Sequence, residues 1–178
     1  MWRLCWRCPR VHRLILNIGC EGHPFPAPWI NIDRSTGSRG FPCHPDVIAD
    51  VRDLPFDDGS VDAIYAGHVL EHIEYEDCPA AVREMRRVLR PGGRLAVVGP
   101  DMDRAHGEWA EFAPLIWPGL VGEWSSWPGA AHQYIPTAAN TRAFLEPVFP
   151  NIVEIPIVDL DPFWPAPSRD GWQFAFVA

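Results

Sequence analysis

The chain has 178 residues, a net charge of −8 and a 47% hydrophobic content, which suits one domain with a single buried core. No apolar run approaches the ~20 residues of a membrane span, and the basic, apolar start lacks a cleavage site. We therefore expect a cytoplasmic protein with no membrane partner. The negative charge makes a nucleic-acid partner improbable, because general nucleic-acid binding needs a cationic face.

Short buried strands dominate the first part of the chain. Apolar runs bounded by turn residues predict strands over 11–19, 29–33, 47–51 and 61–67. Only about ten residues, three of them proline, separate the first two strands. A parallel crossover usually takes a dozen or more residues and a helix, so an extended loop is expected in its place.

Helical patterns enter after the fourth strand. We predict a helical stretch over 68–72 and an amphipathic helix over 79–89 that stops at Arg90-Pro91-Gly92-Gly93. A fifth strand over 94–101, a helix over 137–149 and strands over 152–158 and 171–178 follow. This alternation predicts a mostly parallel α/β sheet in a single domain, 1–178. Residues 1–12 are its lead-in, and the Trp- and Pro-rich segment 105–136 is a lid, an interface insertion or a homodimer contact.

The cysteines and paired histidines give only weak metal signals. Five cysteines form no even disulfide framework, and Cys5-x-x-Cys8 is the only pair at metal spacing. Cys43-His44 could complete a four-ligand zinc site, and His68 and His72 are also suitably spaced. With no third ligand at a defined offset from the histidines, we predict free thiols and no metal.

Glycines and carboxylates follow the predicted strands, where ligands of open parallel sheets bind. A carboxylate after the second strand can accept hydrogen bonds from both ribose hydroxyls, which favours a nucleoside cofactor. The G-x-x-G of Gly19–Gly22 lacks the longer glycine pattern and the helix that hold a pyrophosphate, which disfavours NAD. An NAD or nucleotide-sugar enzyme, and turn-forming roles for the carboxylates, stay open. The strand-end residues are Asn17, Gly19, Cys20, Glu21, Gly22, Asp33, Asp50, Val51, Asp53, Gly67, His68, Pro100, Asp101 and Asp103.

Four blocks in order carry a family resemblance: LNIGCEG, NID, ADVRDLPFDDGSVDAIYAGHVLEHI and REMRRVLRPGGRLAVVGPD. They resemble the class I S-adenosylmethionine-dependent methyltransferases, especially the small methyltransferase type 11 proteins that lack a helix after the first strand. The resemblance covers Leu14 to about Asp103. It implies a Rossmann-like sheet, mostly parallel with an antiparallel C-terminal strand and few helices, and S-adenosyl-L-methionine as cofactor.

The same resemblance implies roles for the strand-end residues. Gly19 and the Cys20–Glu21 backbone would line the methionine part, and Asp33 would hold the ribose. Asp50, Val51 and Leu54 would bind adenine, while Gly67 and His68 would flank the sulfonium. Asn17 and Arg52 complete the predicted cofactor set. Glu21 stands where the family has glycine, and is either an extra carboxylate near the cationic cofactor or a surface loop residue.

The acceptor is less constrained. Ala66-Gly67-His68-Val69 carries neither the Pro-Pro-aromatic motif of nucleic-acid amino-methyltransferases nor a Pro-Cys nucleophile. We therefore predict a small-molecule acceptor, a hydroxyl of a sugar or secondary metabolite, on which the tryptophans could stack. A non-catalytic binding protein and a methyltransferase acting on protein or nucleic acid are the alternatives. Candidate general bases are His106, His132 and Asp101, with Asp103 and Tyr134 also considered.

Overall fold

The computed structural model describes residues 13–20, 23–38, 41–42, 44–105, 133–164 and 173–178. Within these ranges the strands are β1 Ile15–Ile18, β2 Trp29–Asp33, β3 Gly37–Ser38, β4 Phe41–Pro42, β5 Val47–Ile48, β6 Val61–Gly67, β7 Leu89–Pro100, β8 Val153–Pro156 and β9 Gln173–Val177. The α-helices are α1 Cys78–Val88, α2 Met102–Ala105 and α3 Ala138–Leu145, and 3-10 turns cover Leu70–His72, Tyr75–Asp77 and Ile157–Asp159.

Seven strands form one mixed sheet in the order β5-β2-β1-β6-β7-β9-β8. The pairs from β5 to β7 are parallel, and β9 is antiparallel to both β7 and β8. The predicted fold class is thereby confirmed. The strand order reverses between β1 and β6, because the chain leaves β1 toward β2 and later leaves β6 toward β7. Such a reversal opens a crevice at the carboxyl ends of the strands.

Helices α1 and α3 cover one face of the sheet. The apolar positions of α1 recur with helical spacing, so Ala81, Val82, Met85 and Val88 are all buried against the strands. Pro79 lies in the first turn of α1, where its missing N–H breaks no helical hydrogen bond. The predicted helix over 79–89 is confirmed within a residue at each end.

Aromatic side chains cover the opposite face. Phe25, from the proline-rich loop, packs on Tyr65 with ring centroids 5.1 Å apart, and Trp29 packs on Trp164 at 6.0 Å. Arg94 lies 4.6 Å from the Phe163 ring centroid and binds Asp161, which fastens this segment to β7. Residues 23–28 contain no helix, as predicted. Bulky rings cover this face over the region where a crossover helix would pack.

A buried amide pair holds the proline-rich loop on the sheet. The Asn31 Oδ1 accepts hydrogen bonds from the Phe25 N–H at 2.7 Å and the Asn17 Nδ2 at 2.9 Å. The Asn31 Nδ2 donates to the Phe25 carbonyl at 3.0 Å and to Asp46 at 3.1 Å. The Asn17 Nδ2 also donates to the His23 carbonyl at 3.3 Å. These bonds satisfy loop backbone groups that a helix would have paired internally.

The helix ends before Arg90-Pro91-Gly92-Gly93 as predicted, but the fifth strand, predicted over 94–101, begins earlier, at Leu89. Val61 pairs with Leu89 and Ala63 pairs with Arg94, so residues 90–93 bulge from within β7. Gly92 has a φ of 71°, which lets the chain bulge and rejoin the sheet.

Other predicted bounds contract. Strand β5 ends at Ile48, because the Asp50 side chain turns the backbone by accepting from the Arg52 N–H. Helix α3 ends at Leu145, and the stretch over 68–72 is only a 3-10 turn. The segment 152–158 forms β8 followed by a 3-10 turn, and the loop after β2 contains the short β3–β4 hairpin.

Two of the five cysteines, Cys20 and Cys78, lie in the described ranges, where both are buried and neither forms a disulfide. Cys5, Cys8 and Cys43 fall outside those ranges. In the part of the chain that is described, every helix is too short or too polar to cross a membrane.

Candidate functional site

A cavity of about 280 Å³ lies at the carboxyl ends of β1, β2, β5 and β6. It occupies the crevice that the reversal in strand order creates. Six residues predicted from the sequence line it, namely Gly19, Asp33, Asp50, Val51, Arg52 and His68. They come from four separate parts of the chain and meet because parallel strands end at the same edge.

Gly19 forms the wall of the cavity after β1. Its φ is 73°, and its N–H donates to the Ile32 carbonyl at 2.9 Å. A Cβ at this position would lie 2.4 Å from the Val69 Cγ2. Both the backbone conformation and the space therefore require glycine, which brings bare backbone to the cavity surface.

Asp33 ends β2 and is 9% exposed. Its Oδ1 accepts from the Ser35 N–H at 3.1 Å, while its carbonyl accepts from the Ala49 N–H at 2.9 Å. The turn formed with Ser35 orients the carboxylate at the wall of the cavity.

Asp50 is held by a neighbouring arginine. Arg52 donates from Nε to Asp50 Oδ1 at 2.9 Å and from Nη2 to Oδ2 at 2.7 Å, and its Nη1 binds Asp77. These hydrogen bonds outweigh desolvation and hold the pKa of the Asp50 carboxyl below its usual value. The fork of Arg52 fixes an ionised carboxylate at the mouth of the cavity, beside Val51.

His68 follows β6 with a φ of 55°, which is rare for a residue with a side chain. Its Nδ1 lies 3.2 Å from the Glu71 Oε1; the Glu71 side chain is 3% exposed and that of His68 is 39% exposed. Burial opposes the charge on the ring, but the hydrogen bond and negative charge of Glu71, with a hydrogen bond to Gln173, outweigh it. The pKa of His68 is therefore raised.

Three predicted cofactor residues with apolar or small side chains do not line the cavity. Cys20 is buried beside it, with its N–H directed to the Ile32 carbonyl at 3.3 Å. Leu54 packs in the core, where its N–H donates to Glu84 at 2.8 Å. A Cβ at Gly67 would lie 2.5 Å from the Tyr65 ring, so Gly67 makes room for that ring.

Two predicted polar residues are occupied elsewhere. The Asn17 side chain binds Asn31 beneath the proline-rich loop. Asp101 accepts from the Asp103 N–H at 3.2 Å and pairs with the Arg104 Nε at 3.0 Å. Neither lines the cavity. Glu21, His106 and His132 lie outside the described residues, together with the tryptophans of 106–132.

Several lining residues were not predicted. Arg34 directly follows Asp33, and His72 lies one turn after His68, so their positions next to strand-end residues were a usable signal. Gln133 had no local signal, because it reaches the cavity from a distant part of the chain: its N–H donates to the Glu71 carbonyl at 2.7 Å. The unpredicted set is Ile18, Arg34, Ala49, Val69, His72, Ile73, Glu74 and Gln133.

Across the described ranges, no three His, Cys, Asp or Glu side chains are grouped so that they could hold a metal ion. The cavity instead offers carboxylates, an arginine fork, a histidine and exposed backbone. That donor set suits an organic ligand with hydroxyl and amino groups.

Comparison with known proteins agrees with a site for an organic ligand. Residues 31–97 match a family described as a methyltransferase domain. The chain is similar to the 2-phytyl-1,4-naphtoquinone methyltransferase of Nostoc punctiforme, 32% identical over 92 residues, which are 48% of this chain and 39% of that protein. It is also similar to the demethylmenaquinone methyltransferase of Mycolicibacterium gilvum, 49% identical over 53 residues, 30% of this chain and 22% of that protein. The chain thus spans less than half the length of these relatives.

A solved structure extends the likeness to the whole sheet. A SAM-dependent methyltransferase from Archaeoglobus fulgidus has a TM-score of 0.56 and 13% identity, covering 93% of this chain and 85% of that one. At that identity the comparison supports the fold alone. The family match, however, includes the ends of β2, β5 and β6 that line the cavity. The chain thus resembles a methyltransferase domain in sequence over residues 31–97 and shares the fold of SAM-dependent methyltransferases, so S-adenosylmethionine is the expected cofactor.

Proposed function

We propose that this protein transfers a methyl group from S-adenosylmethionine to a small-molecule acceptor. The observation that carries the proposal is the convergence of Gly19, Asp33, Asp50 and His68 on one cavity at the switch point of the sheet. Each of these groups can contact a different part of the cofactor.

We infer the direction of the cofactor across the site from the strand order. Neighbouring strands lie about 4.8 Å apart, and β5, β2, β1 and β6 are consecutive in the sheet. With adenine at Asp50 and Val51 and the ribose at Asp33, the methionine part extends past Gly19. The sulfonium, whose sulfur is bonded to the 5′ carbon of the ribose, would then lie between the ribose site and His68. The cavity residues fit a phosphate-free nucleoside in this orientation.

Methyl transfer from a sulfonium depends mainly on the orientation of the methyl group toward the acceptor. When bound, the cofactor supplies a methyl group that is already activated by the sulfonium. The chain's own residues would hold the ribose and adenine and would leave the His68 end for the acceptor. Such positioning alone can supply effective molarities of about 10⁵ M or more in favourable cases.

The acceptor end of the cavity is polar with an apolar rim. His72, Glu74 and Gln133 can hydrogen-bond hydroxyl groups, while Val69 and Ile73 provide apolar contact. We propose a hydroxylated small molecule, a sugar or secondary metabolite. The names of the Nostoc and Mycolicibacterium relatives add quinones as a second acceptor class.

We propose that the segment 105–136 closes over this end. The return of this segment is tied down near the cavity, because the Pro136 carbonyl accepts from the Met102 N–H at 3.0 Å and Gln133 binds Glu71. His106 and His132 belong to this segment and are our preferred general bases. Asp101 is less suited, because both its oxygens already engage partners.

Calorimetry with S-adenosylmethionine, S-adenosylhomocysteine and NAD tests the cofactor. We expect both sulfur nucleosides to bind and NAD not to bind; binding of NAD alone would contradict the proposal. Transfer of a labelled methyl group to a panel of hydroxylated sugars, phenolic metabolites and a naphthoquinol then tests the acceptor. Cofactor binding with no methyl transfer to any acceptor would favour a non-catalytic binding protein.

Substituting Asp33→Asn is expected to weaken binding of S-adenosylhomocysteine by about 1–3 kcal/mol, because charge-assisted hydrogen bonds to the ribose are lost. Asp57→Asn is the matched control, since it makes the same charge change at an exposed turn away from the cavity. Calorimetry measures the affinity of both variants for S-adenosylhomocysteine and so tests the ribose contact of Asp33. Equal losses in the two would mean that net charge, rather than a ribose contact, governs the affinity.

A further inference from the structure

The end of β6 carries a built charge pair that the proposed methyl transfer does not itself require. His68 and Glu71 lie three residues apart, and the intervening chain leaves the strand through the left-handed conformation of His68. A strained backbone at a ligand site persists only where surrounding contacts hold it. Here the His68 N–H donates to the Val98 carbonyl at 2.8 Å, which anchors the strained residue to β7.

The pair has one buried and one accessible member. Glu71 is almost fully buried, and its carboxylate approaches the Nδ1 of His68. The His68 ring is partly exposed and lines the cavity. A buried carboxylate beside an imidazole stabilises the protonated ring, so the cavity wall at the end of β6 carries a positive charge at low pH.

The cofactor and its product differ in charge at this end of the cavity. S-adenosylmethionine has a positive sulfur, whereas S-adenosylhomocysteine has a neutral sulfur and otherwise the same groups. Because the sulfonium lies toward the end of β6 in the orientation proposed above, a protonated His68 repels the cofactor but not the product. A neutral ring leaves the negative charge of Glu71, which attracts the cofactor.

We propose that His68, positioned by Glu71, determines how strongly this site distinguishes the charged cofactor from its neutral product. The proposal rests on the proposed function, because it needs the sulfonium in this cavity. Protonated His68 favours the product, and neutral His68 favours the cofactor. The binding of S-adenosylmethionine is accordingly coupled to release of a proton from His68, and the binding of S-adenosylhomocysteine is not.

Other charged groups of the protein border the same space, and they act on both ligands. The chain after β6 contributes Glu71, His72 and Glu74, and the chain at the end of β2 contributes Asp33 and Arg34. Gln173 of β9 contacts His68 without a charge. Comparing the two ligands at each pH removes the effects of these groups on the shared parts of the molecules.

The experiment measures both dissociation constants by calorimetry from about pH 5.5 to about pH 8.5, a range that spans histidine titration. We expect affinity for S-adenosylmethionine, relative to S-adenosylhomocysteine, to rise about tenfold across this range, a typical coupling between two sites. Since Glu71 raises the pKa of His68, the pH midpoint of this change in relative affinity should lie above the usual pKa of histidine. Calorimetry in two buffers of different ionisation enthalpy should show proton release with the cofactor alone.

Three variants test the assignment. His68→Asn removes the titrating ring while tolerating a left-handed backbone, and should abolish the pH dependence of the ratio. Glu71→Gln should shift the midpoint of the pH-dependent change in the affinity ratio to lower pH. His72→Gln, a change to the other histidine of the cavity, should leave the pH dependence as in the unmodified protein.

The outcomes separate this inference from the proposed function. Binding of both ligands with a ratio that does not vary with pH overturns the role of His68 and leaves the methyltransferase proposal standing. A pH dependence that survives in His68→Asn, or vanishes in His72→Gln, overturns the role as well. Absence of binding by either ligand overturns both proposals.

Discussion

Gly19→Ala is expected to lower the free energy of unfolding by about 2–5 kcal/mol and to abolish binding of S-adenosylhomocysteine. Two costs add at this position. A side chain in the left-handed region costs roughly 1–2 kcal/mol, and forcing a methyl group into filled space adds about 1–3 kcal/mol. The second cost arises because the new Cβ would approach the Val69 Cγ2 to 2.4 Å. Urea unfolding and calorimetry measure the two effects.

Gly92→Ala separates those costs. Gly92 has almost the same φ, 71°, but its nearest neighbour to a new Cβ is the Arg90 Nη1 at 3.9 Å. We expect Gly92→Ala to lower the free energy of unfolding by the backbone cost alone. The double variant Gly19→Ala/Val69→Ala should recover the part of the stability that Gly19→Ala loses through the contact with Val69. Equal losses in Gly19→Ala and Gly92→Ala would show that Val69 does not restrict the site.

Asn31→Asp is expected to lower the free energy of unfolding by about 3 kcal/mol or more. The change keeps the shape of the side chain but replaces a donating amide with a carboxylate oxygen. That oxygen would face the Phe25 carbonyl and the Asp46 carboxylate, now 3.0 and 3.1 Å from the Nδ2. Burying a charge against two acceptors carries the penalties of an unmade hydrogen bond and of like-charge repulsion.

Asn140→Asp is the control for this substitution. The Asn140 Nδ2 donates to the Ile135 carbonyl at 3.0 Å in an exposed position, so its loss should cost less than about 1 kcal/mol. The deficit of Asn31→Asp should also shrink as the pH falls, because a protonated carboxyl regains one donor. Urea unfolding at several pH values measures both effects. A loss no larger than that of Asn140→Asp would mean that the Asn31 amide does not hold the loop.

Much of the sheet could be predicted because its signals are local. The runs 29–33 and 61–67 are apolar and bounded by turn residues, and both strands begin and end where predicted. The proline spacing between β1 and β2 excludes a helix through backbone geometry alone. Helix α1 follows from the spacing of its apolar residues, which matches one buried face.

The bounds that failed depend on contacts between distant residues. The strand β7 begins at Leu89 because Val61 pairs with it, although Pro91 and Gly92 have the composition of a turn. Strand β8 is shorter than its apolar run over 152–158, and its pairing with β9 spans four residue pairs. Pairing between distant strands cannot be recognised from a short stretch of sequence.

For the site, the convergence of several strand ends on one cavity could be predicted from the sequence. Gly19, Asp33, Asp50 and His68 could be placed together because parallel strands end at one edge, whatever the rest of the fold does. The direction of the Asn17 side chain could not be predicted, because its partner Asn31 lies on the neighbouring strand. The arrival of Gln133 and the pairing of Arg52 with both Asp50 and Asp77 likewise required three-dimensional contacts. Backbone periodicity is a local property, whereas the partner of a polar side chain depends on how distant segments pack.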